Sequence, residues 1–495
     1  MKKFLAVALA ALIATLGLSG CSGSSKSGSL EETGSVGGIS STGEMLPGEE
    51  NPKTGISEAP GWTKTAVLYE VNIRQYTAEG TFKAFETHLD ELWDMGVNTL
   101  WFMPIHPISA TNRIGSLGSY YSVDDYRGIN PEFGSEEDFR NLVNAAHQKG
   151  FHVMLDWVAN HTGWDNAWIK EHPDWYTQEN GEIIPPKGTG WNDVADLNYD
   201  NPEMRAEMIS CMEYWVREFD IDGFRCDYAP GVPKDFWEEA RTELDTIKDL
   251  YFIEEDLGWV NEGLLDYAFD TNYSSKVYET LVAISHDSKS ADKLKLYLPK
   301  DKNNTFPMNY LDNHDVNSYD RTIAEAFGAE KLPEMYSLIF TLPGIPMIYS
   351  GAEIGNDKPL AFMDKDCIDW DGGIGDYREL IGYLSGLKKE HCALHAGAEG
   401  GDFELLDTGN KNIFAFARTA DGERIVCVYN LSKRAQEDVD ISGIFSGGGR
   451  ILIKGSGGEY ETAGDNEKSG EYEVDAGFPD GTYSFEPWEF FVVLY

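Results

Sequence analysis

Three short segments of the sequence each end an apolar, strand-like run with an acidic residue. They are residues 223–227, 253–255 and 312–315, and their candidate catalytic acids are Asp227, Glu255 and Asp315. Cleavage of a glycosidic bond uses one carboxyl group as an acid and another as a nucleophile or base. Three carboxylates gathered in one pocket would supply that chemistry, so glycoside cleavage is the first hypothesis.

Arg225 and Asp227 lie two residues apart, so on a strand their side chains share one face. A neighbouring guanidinium favours the ionised carboxylate, which suits a nucleophile. The alternative is a purely structural ion pair. Among the consecutive acids 254–256 only one parity can share the barrel interior, and the choice of Glu255 rests on the family resemblance given below. A carboxyl group crowded by Asp227 and Asp315 would have the raised pKa of a general acid. The alternative there is a solvated acidic loop.

From residue 67 the chain alternates short apolar runs with amphipathic stretches, the pattern of parallel strands connected by helices. The strand candidates are 66–71, 99–103, 152–156, 223–227, 251–255, 267–270, 306–311 and 347–349. These eight runs fit a closed parallel barrel, whose active sites lie at the carboxyl ends of the strands. We therefore expect an α/β fold, a (β/α)8 TIM barrel over residues 60–395.

The sequence also indicates where two helices begin and where one long segment is inserted. Ser135 and Asp138 resemble a capping box, and Asn201 followed by Pro202 combines an N-cap with a first-turn proline. The stretch between the third and fourth strands is far longer than one helix requires. We expect an inserted subdomain there, at about residues 162–198.

The pattern changes to period-two alternation near residue 396. Runs such as 413–418 and 425–429 are separated by an Asp-Gly turn, which predicts an antiparallel β-sandwich over residues 396–495. Structural support of the barrel is the expected role. Carbohydrate binding by its aromatic residues is the alternative.

The N-terminus reads as an export signal. Lys2 and Lys3 precede a short apolar run, and residues 18–21 resemble a bacterial lipoprotein processing site. Residues 1–20 would then be removed, Cys21 lipidated, and residues 21–59 would form a flexible tether. This predicts an exported protein, anchored by lipid at the bacterial cell envelope. Ordinary cleavage with release is the alternative.

Composition narrows the possible partners. The 495 residues carry 84 acids against 40 bases, a net charge of −44 that repels phosphate backbones, so nucleic acid is not an expected partner. An aromatic content of 13% argues against a disordered chain. The cysteines after Cys21 are scattered, which indicates neither a disulfide scaffold nor a zinc site, although one isolated disulfide is possible.

Several motifs resemble the α-amylase family, glycoside hydrolase family 13, over nearly the whole chain after the tether. The motifs at strand ends are residues 156–161, 223–227, 253–255 and 313–315, with supporting motifs at 96–100, 194–198 and 344–351. The resemblance implies that Asp227 is the nucleophile, Glu255 the general acid and base, and Asp315 the carboxylate that grips the sugar. It also implies substrate-binding roles for Tyr121, Asp156, His161, Arg225 and His314.

The resemblance further implies double displacement with retention, with the Asp227 and Glu255 carboxyl groups about 5 to 5.5 Å apart. The resemblance does not decide whether the protein binds calcium. Asn160 and Asp196 are the candidate ligands, and Asp165, Asn166 and Asp193 offer further oxygens suited to Ca²⁺. No organic cofactor is expected.

Two departures from the family pattern stand close to the candidate acids. In the family the fourth-strand motif frequently ends with a lysine and a histidine, and residues 228–231 of this chain contain neither. This difference puts leaving-group binding and the family's calcium site in doubt. Glu254 stands where a small residue is usual, and the sequence offers no account of it.

The leading hypothesis is a retaining α-glucan hydrolase that acts on starch-like polysaccharides or maltooligosaccharides. Transglycosylation or sugar isomerisation through the same intermediate is the second hypothesis. A catalytically silent glucan-binding lipoprotein is the third, although the presence of all three carboxylates argues against it.

Overall fold

A computed structural model describes residues 59–256, 263–299, 306–445, 449–463 and 481–495. The export signal, the lipidation site Cys21 and the tether up to residue 58 lie outside these residues and stay predictions. Within the described parts, no helix is long and apolar enough to cross a membrane.

The first twelve strands precede residue 350. In chain order they are β1 (Leu68–Val71), β2 (Thr99–Phe102), β3 (His152–Trp157), β4 (His161–Gly163), β5 (Gln178–Glu179), β6 (Glu182–Ile183), β7 (Val194–Asp196), β8 (Gly223–Cys226), β9 (Tyr251–Glu254), β10 (Thr271–Tyr273), β11 (Phe306–Tyr310) and β12 (Ile345–Tyr349). Strands β1, β2, β3, β8, β9, β10, β11 and β12 close in that order into a parallel barrel. The predicted TIM barrel is confirmed.

Helices surround the barrel. They are α1 (Ile73–Tyr76), α2 (Phe82–Glu86), α3 (Leu89–Asp94), α4 (Glu136–Lys149), α5 (Trp168–Glu171), α6 (Pro202–Phe219), α7 (Lys234–Leu244), α8 (Ser275–Ser285), α9 (Ile323–Phe327), α10 (Leu332–Thr341) and α11 (Arg378–Glu390). The capping box of α4 forms as predicted, with Ser135 and Asp138 each bonding the other's backbone N–H. The Asn201 side chain caps α6 by accepting from two backbone N–H groups.

The prediction for the sixth barrel strand, residues 267–270, is wrong, because the strand is β10 at Thr271–Tyr273. Tyr267 is 49% exposed, and Lys234 Nζ lies 4.0 Å from its ring centre. Asp270 Oδ2 accepts from the Phe252 backbone N–H at 2.8 Å and from Arg241 at 3.0 Å. These side-chain contacts hold residues 267–270 in place just before β10. The apolar pattern of the sequence does not distinguish such a segment from a strand.

The segment between β3 and α6 contains two small antiparallel sheets. Strand β4 pairs with β7, and β5 pairs with β6. The Tyr126 hydroxyl donates to the backbone oxygens of Val158 and His161, at 2.7 and 2.8 Å. This buried contact joins the segment after β2 to the start of the insertion.

The C-terminal strands are β13 (Asp402–Leu406), β14 (Ile413–Ala420), β15 (Glu423–Asn430), β16 (Gln436–Asp440), β17 (Arg450–Ser456), β18 (Glu459–Thr462), β19 (Thr482–Phe485) and β20 (Phe490–Leu494). Six of them form one antiparallel sheet, and β16 pairs with β19. Asp421 and Gly422 both have positive φ, as a tight hairpin turn between β14 and β15 requires. The predicted antiparallel C-terminal domain is confirmed.

One face of this sheet is continuous with the apolar core of the barrel, through residues that include Phe416 and Tyr429. The other face packs with β16 and β19 in a second apolar cluster. The cysteines of the described residues are free thiols: Cys211, Cys226, Cys367, Cys392 and Cys427.

Candidate active site

The parallel ladder continues one residue past the ends of β8 and β9. The Asp227 backbone N–H donates to Trp157 O at 2.9 Å, and the Glu255 N–H donates to Cys226 O at 3.1 Å. Both acids therefore emerge at the carboxyl end of the barrel with their backbones held. This is where a TIM barrel places its catalytic groups.

Arg225 joins the candidate acids. Its Nη1 donates to Asp227 Oδ1 at 3.0 Å and to Asp156 Oδ1 at 2.9 Å, and its Nη2 lies 2.9 Å from Glu255 Oε1. The guanidinium is fully buried, so these anions compensate the cost of removing its charge from water. Two neighbouring nitrogens of one side chain thus hold Asp227 and Glu255 together.

Tyr121 and Asp156 also contact this guanidinium, through the same Nη1 that bonds Asp227. The Tyr121 hydroxyl donates to Asp156 Oδ2 at 3.1 Å and lies 2.9 Å from His314 Nε2. Trp101 Nε1 also donates to Asp156 Oδ2, at 3.2 Å. The structure therefore joins three predicted substrate-binding residues into one hydrogen-bonded group beside the acids.

Asp315 is the most open of the three candidate acids. Its side chain is 50% exposed, against 13% for Asp227 and 10% for Glu255. Its Oδ2 lies 3.6 Å from His314 Nε2. An accessible carboxylate beside a histidine is suited to contact sugar hydroxyl groups.

The environment raises the pKa of both inner acids. Burial raises the pKa of Glu255, Arg225 opposes this effect, and Asp227 and Asp315 add to it, which brings the pKa to about 7. For Asp227, burial raises the pKa and Arg225 lowers it, which leaves the pKa at about 6. Both carboxyl groups therefore hold a proton more readily than they would in water, and a raised pKa is what a general acid needs.

Sequence reasoning missed three residues of this site. Glu70, at 0% exposure in β1, contacts His314 Nδ1 through Oε1. Tyr273 accepts from Arg225 Nε at 3.0 Å, and Trp101 bonds Asp156. The acid of Glu70 within an otherwise apolar β1 was the available signal, because a carboxylate in a buried strand needs a partner.

His161 lies at the side of the site. Burial lowers its pKa to about 4, so the ring is neutral at pH 7. Its Nδ1 lies 3.2 Å from Asn160 Nδ2, and its ring centre lies 5.5 Å from that of Trp191. A neutral ring in this position can only hydrogen-bond a sugar, not balance a charge.

The candidate calcium ligands differ in what surrounds them. Asn160 directly precedes β4, and Asp196 is the last residue of β7, opposite His161. Asp165 instead accepts from Ala110 N at 2.7 Å and Thr111 Oγ1 at 2.5 Å. Among the described residues, no group of three or more His, Cys, Asp or Glu could hold a metal ion. Calcium stays a prediction, and no step below uses it.

Glu254 faces away from the acids, in register with Cys226 on β8 and Asn272 on β10. It is 1% exposed, and its Oε1 has no hydrogen-bond partner among the described residues. Burial and the charge of Asp256 raise its pKa to about 8, so it is mostly protonated at pH 7. Nothing in the structure explains why glutamate occupies this position.

Two family models match the chain. The model described as alpha amylase, catalytic domain, matches residues 53–375, and that of the maltogenic amylase C-terminal domain matches residues 403–459. An alpha-amylase of Haloarcula japonica is 27% identical over 75% of this chain, which spans only 56% of that relative's length. A cyclomaltodextrinase of a Bacillus species is 26% identical, covering 79% of this chain and 77% of the relative.

Solved structures agree with these matches. An alpha-amylase from Lactobacillus plantarum has a TM-score of 0.74 at 27% identity, covering 88% of this chain and 99% of that one. A maltogenic alpha-amylase from Thermotoga neapolitana has a TM-score of 0.73 at 26% identity, covering 87% and 98%. The likeness therefore extends over both the barrel and the C-terminal sheet.

Proposed function

This chain belongs to the α-amylase family of glycoside hydrolases, and on that basis we propose that it hydrolyses α-glucosidic bonds by double displacement with retention. One observation carries the proposal. Asp227 and Glu255 are held by neighbouring nitrogens of Arg225, at 3.0 and 2.9 Å. Two carboxyl groups held by one guanidinium support the proposal, because a retaining site needs a nucleophile and an acid close together.

In the first step, Asp227 attacks the anomeric carbon while Glu255 donates its proton to the oxygen of the leaving sugar. The bond to the leaving group breaks, and a glycosyl ester forms on Asp227. Glu255, now ionised, then takes a proton from water, whose oxygen attacks the same carbon and releases Asp227. Arg225 stays beside both carboxylates and stabilises Asp227 as it regains its charge.

Asp315, His314 and Tyr121 would hold the sugar whose bond is broken. The proposed substrates are starch-like polysaccharides and maltooligosaccharides. The similarity to maltogenic amylases and a cyclomaltodextrinase supports substrates of the α-glucan class.

The test compares wild type with Asp227→Asn and Glu255→Gln on soluble starch and maltooligosaccharides. Each variant should lose at least about 1,000-fold in kcat, because each removes a group that acts in bond cleavage. Proton NMR should show the α-anomer as the first product. The exposed Asp249→Asn is the matched control.

Equal turnover by wild type and Asp227→Asn would refute the assignment. A β-anomer as first product would refute retention. New, longer glycosides without net release of reducing ends would favour transglycosylation instead.

A further inference from the structure

The chain immediately after Asp227 has an uncommon backbone. Tyr228 has φ 41° and ψ 49°, in the left-handed region that residues with a Cβ seldom occupy. Such conformations persist where the surrounding structure holds them, and they cluster at functional sites. The contacts of Tyr228 show what this conformation places beside the acids.

The backbone N–H of Tyr228 donates to Glu255 Oε2 at 2.8 Å. The proton donor is thus held between Arg225 on one oxygen and Tyr228 on the other. Tyr228 is partly exposed and adjoins Glu255 through this backbone bond, so the residue lies at the edge of the site.

Because Gly231 has no side chain, there is room for the Tyr228 ring next to it. A Cβ at residue 231 would lie 2.4 Å from two ring carbons of Tyr228 and 2.6 Å from Asn160 Oδ1. A larger residue there, such as the histidine frequent in the family, would collide with this ring. Glycine at residue 231, where the family frequently has histidine, is therefore what allows the Tyr228 ring to lie in this position.

Trp191 extends the same surface. Its ring centre lies 5.4 Å from that of Tyr228 with the planes at 84°, and 5.5 Å from that of His161. The indole is 37% exposed, so it has a face open to a ligand. The two aromatic rings thus lie beside each other, with Trp191 next to His161 and the backbone of Tyr228 bonded to Glu255.

We propose that Tyr228 and Trp191 form an aromatic wall that binds the leaving-group sugar. This rests on the proposed function, in which Glu255 protonates the oxygen of that sugar, so the sugar must lie beside Glu255. Pyranose rings present apolar C–H faces, which pack on aromatic rings. In transglycosylation an acceptor sugar would bind against the same two rings.

The experiment compares maltotriose with α-maltosyl fluoride, whose leaving group is fluoride rather than a sugar. Trp191→Ala and Tyr228→Ala should each lower kcat/KM for maltotriose about tenfold, the scale of one lost aromatic contact. The loss on α-maltosyl fluoride should be less than about twofold on the same scale. Tyr228→Phe, which keeps the ring, should lose less kcat/KM on maltotriose than Tyr228→Ala does.

Trp93→Ala, an exposed tryptophan on α3, is the matched control for removal of an indole. Equal losses on both substrates would overturn the wall and show a role in holding Glu255 or the fold. No loss on maltotriose would also overturn it. If the wild-type protein were inactive on both α-maltosyl fluoride and maltotriose, the proposed function itself would be overturned.

Discussion

At the scale of single residues, Asp227 and Glu255 share one guanidinium partner but differ in their other contacts. Both are buried and both touch Arg225, but Asp227 lies 3.0 Å from Nη1, whereas Glu255 also accepts a backbone N–H. The pKa of each is raised by burial, to about 6 and about 7 respectively. At neutral pH this favours an ionised nucleophile beside a partly protonated acid.

Glu70 supports this site through His314. Burial lowers the pKa of His314, but the charges of Asp315 and Glu70 outweigh it, and the pKa rises to about 9. The ring is therefore positively charged at pH 7. The groups that act on it or adjoin it are Glu70, Tyr121, Asp156, Arg225, Asp312 and Asp315.

We predict that Glu70→Gln moves the alkaline limb of the kcat/KM profile to lower pH. A raised histidine pKa means that the charged form is lost only when pH rises through that value, so removing Glu70 brings this loss closer to neutral pH. Activity above pH 7 should fall by up to about tenfold relative to wild type at the same pH, and the difference should shrink at lower pH. Nitrogen NMR of His314 would report the pKa directly.

Glu353→Gln is the matched control, because Glu353 is also buried but hydrogen-bonds Tyr69, at 2.6 Å. An unchanged profile and an unchanged His314 signal in Glu70→Gln would show that Glu70 only fills its position in β1.

At the scale of elements, the distance between β8 and β9 decides where the acids emerge. Gly223 begins β8 opposite Tyr251 of β9, and a Cβ on residue 223 would lie 2.1 Å from Tyr251 O. The two strands can approach this closely only with glycine there. A side chain would move β8 against β9 and so move Asp227 against Glu255.

Two alanine substitutions test this with opposite expected signs. Gly223→Ala should destabilise the protein by about 2 kcal/mol through overpacking, and lower kcat. Gly386→Ala, within α11 and with no atom near its added Cβ, should stabilise by up to about 1 kcal/mol and leave kcat unchanged. Thermal unfolding and kinetics measure both, and a Gly223→Ala variant as stable and active as wild type would contradict the argument.

At the scale of the whole molecule, the C-terminal sheet completes the barrel core. Phe416 and Tyr429 pack in the same apolar cluster as the barrel, and the Tyr429 hydroxyl lies 2.8 Å from Thr341 Oγ1 of α10. Arg418 donates to the backbone oxygens of Thr341 and His395, at 3.2 and 2.9 Å. The sheet is thus part of the folded unit that carries the site.

We predict that a chain ending at Ala396 is insoluble or inactive, because truncation exposes the apolar face that the sheet covers. Solubility, circular dichroism and kcat/KM measure this. A soluble truncated protein with wild-type kcat/KM would show that the barrel is independent of the sheet.

Local features of the fold were predictable because their causes are local. The capping box of Ser135 and Asp138, and the cap at Asn201, depend on residues within one helical turn. The barrel followed from alternating patterns and from motifs at strand ends. The strand β10 was misplaced because the contacts that end the preceding segment come from Lys234, Arg241 and Phe252, which no pattern near residue 270 reveals.

Short motifs and side-chain parity were enough to indicate the family, the barrel, and which acids stand at the strand ends. The folded structure was needed to show that Arg225 holds Asp227 and Glu255 together, that Glu70 reaches His314, and that Trp191 meets Tyr228. The raised pKa values of the two acids also follow from the fold. Burial and charge act through space, between residues that the chain keeps far apart.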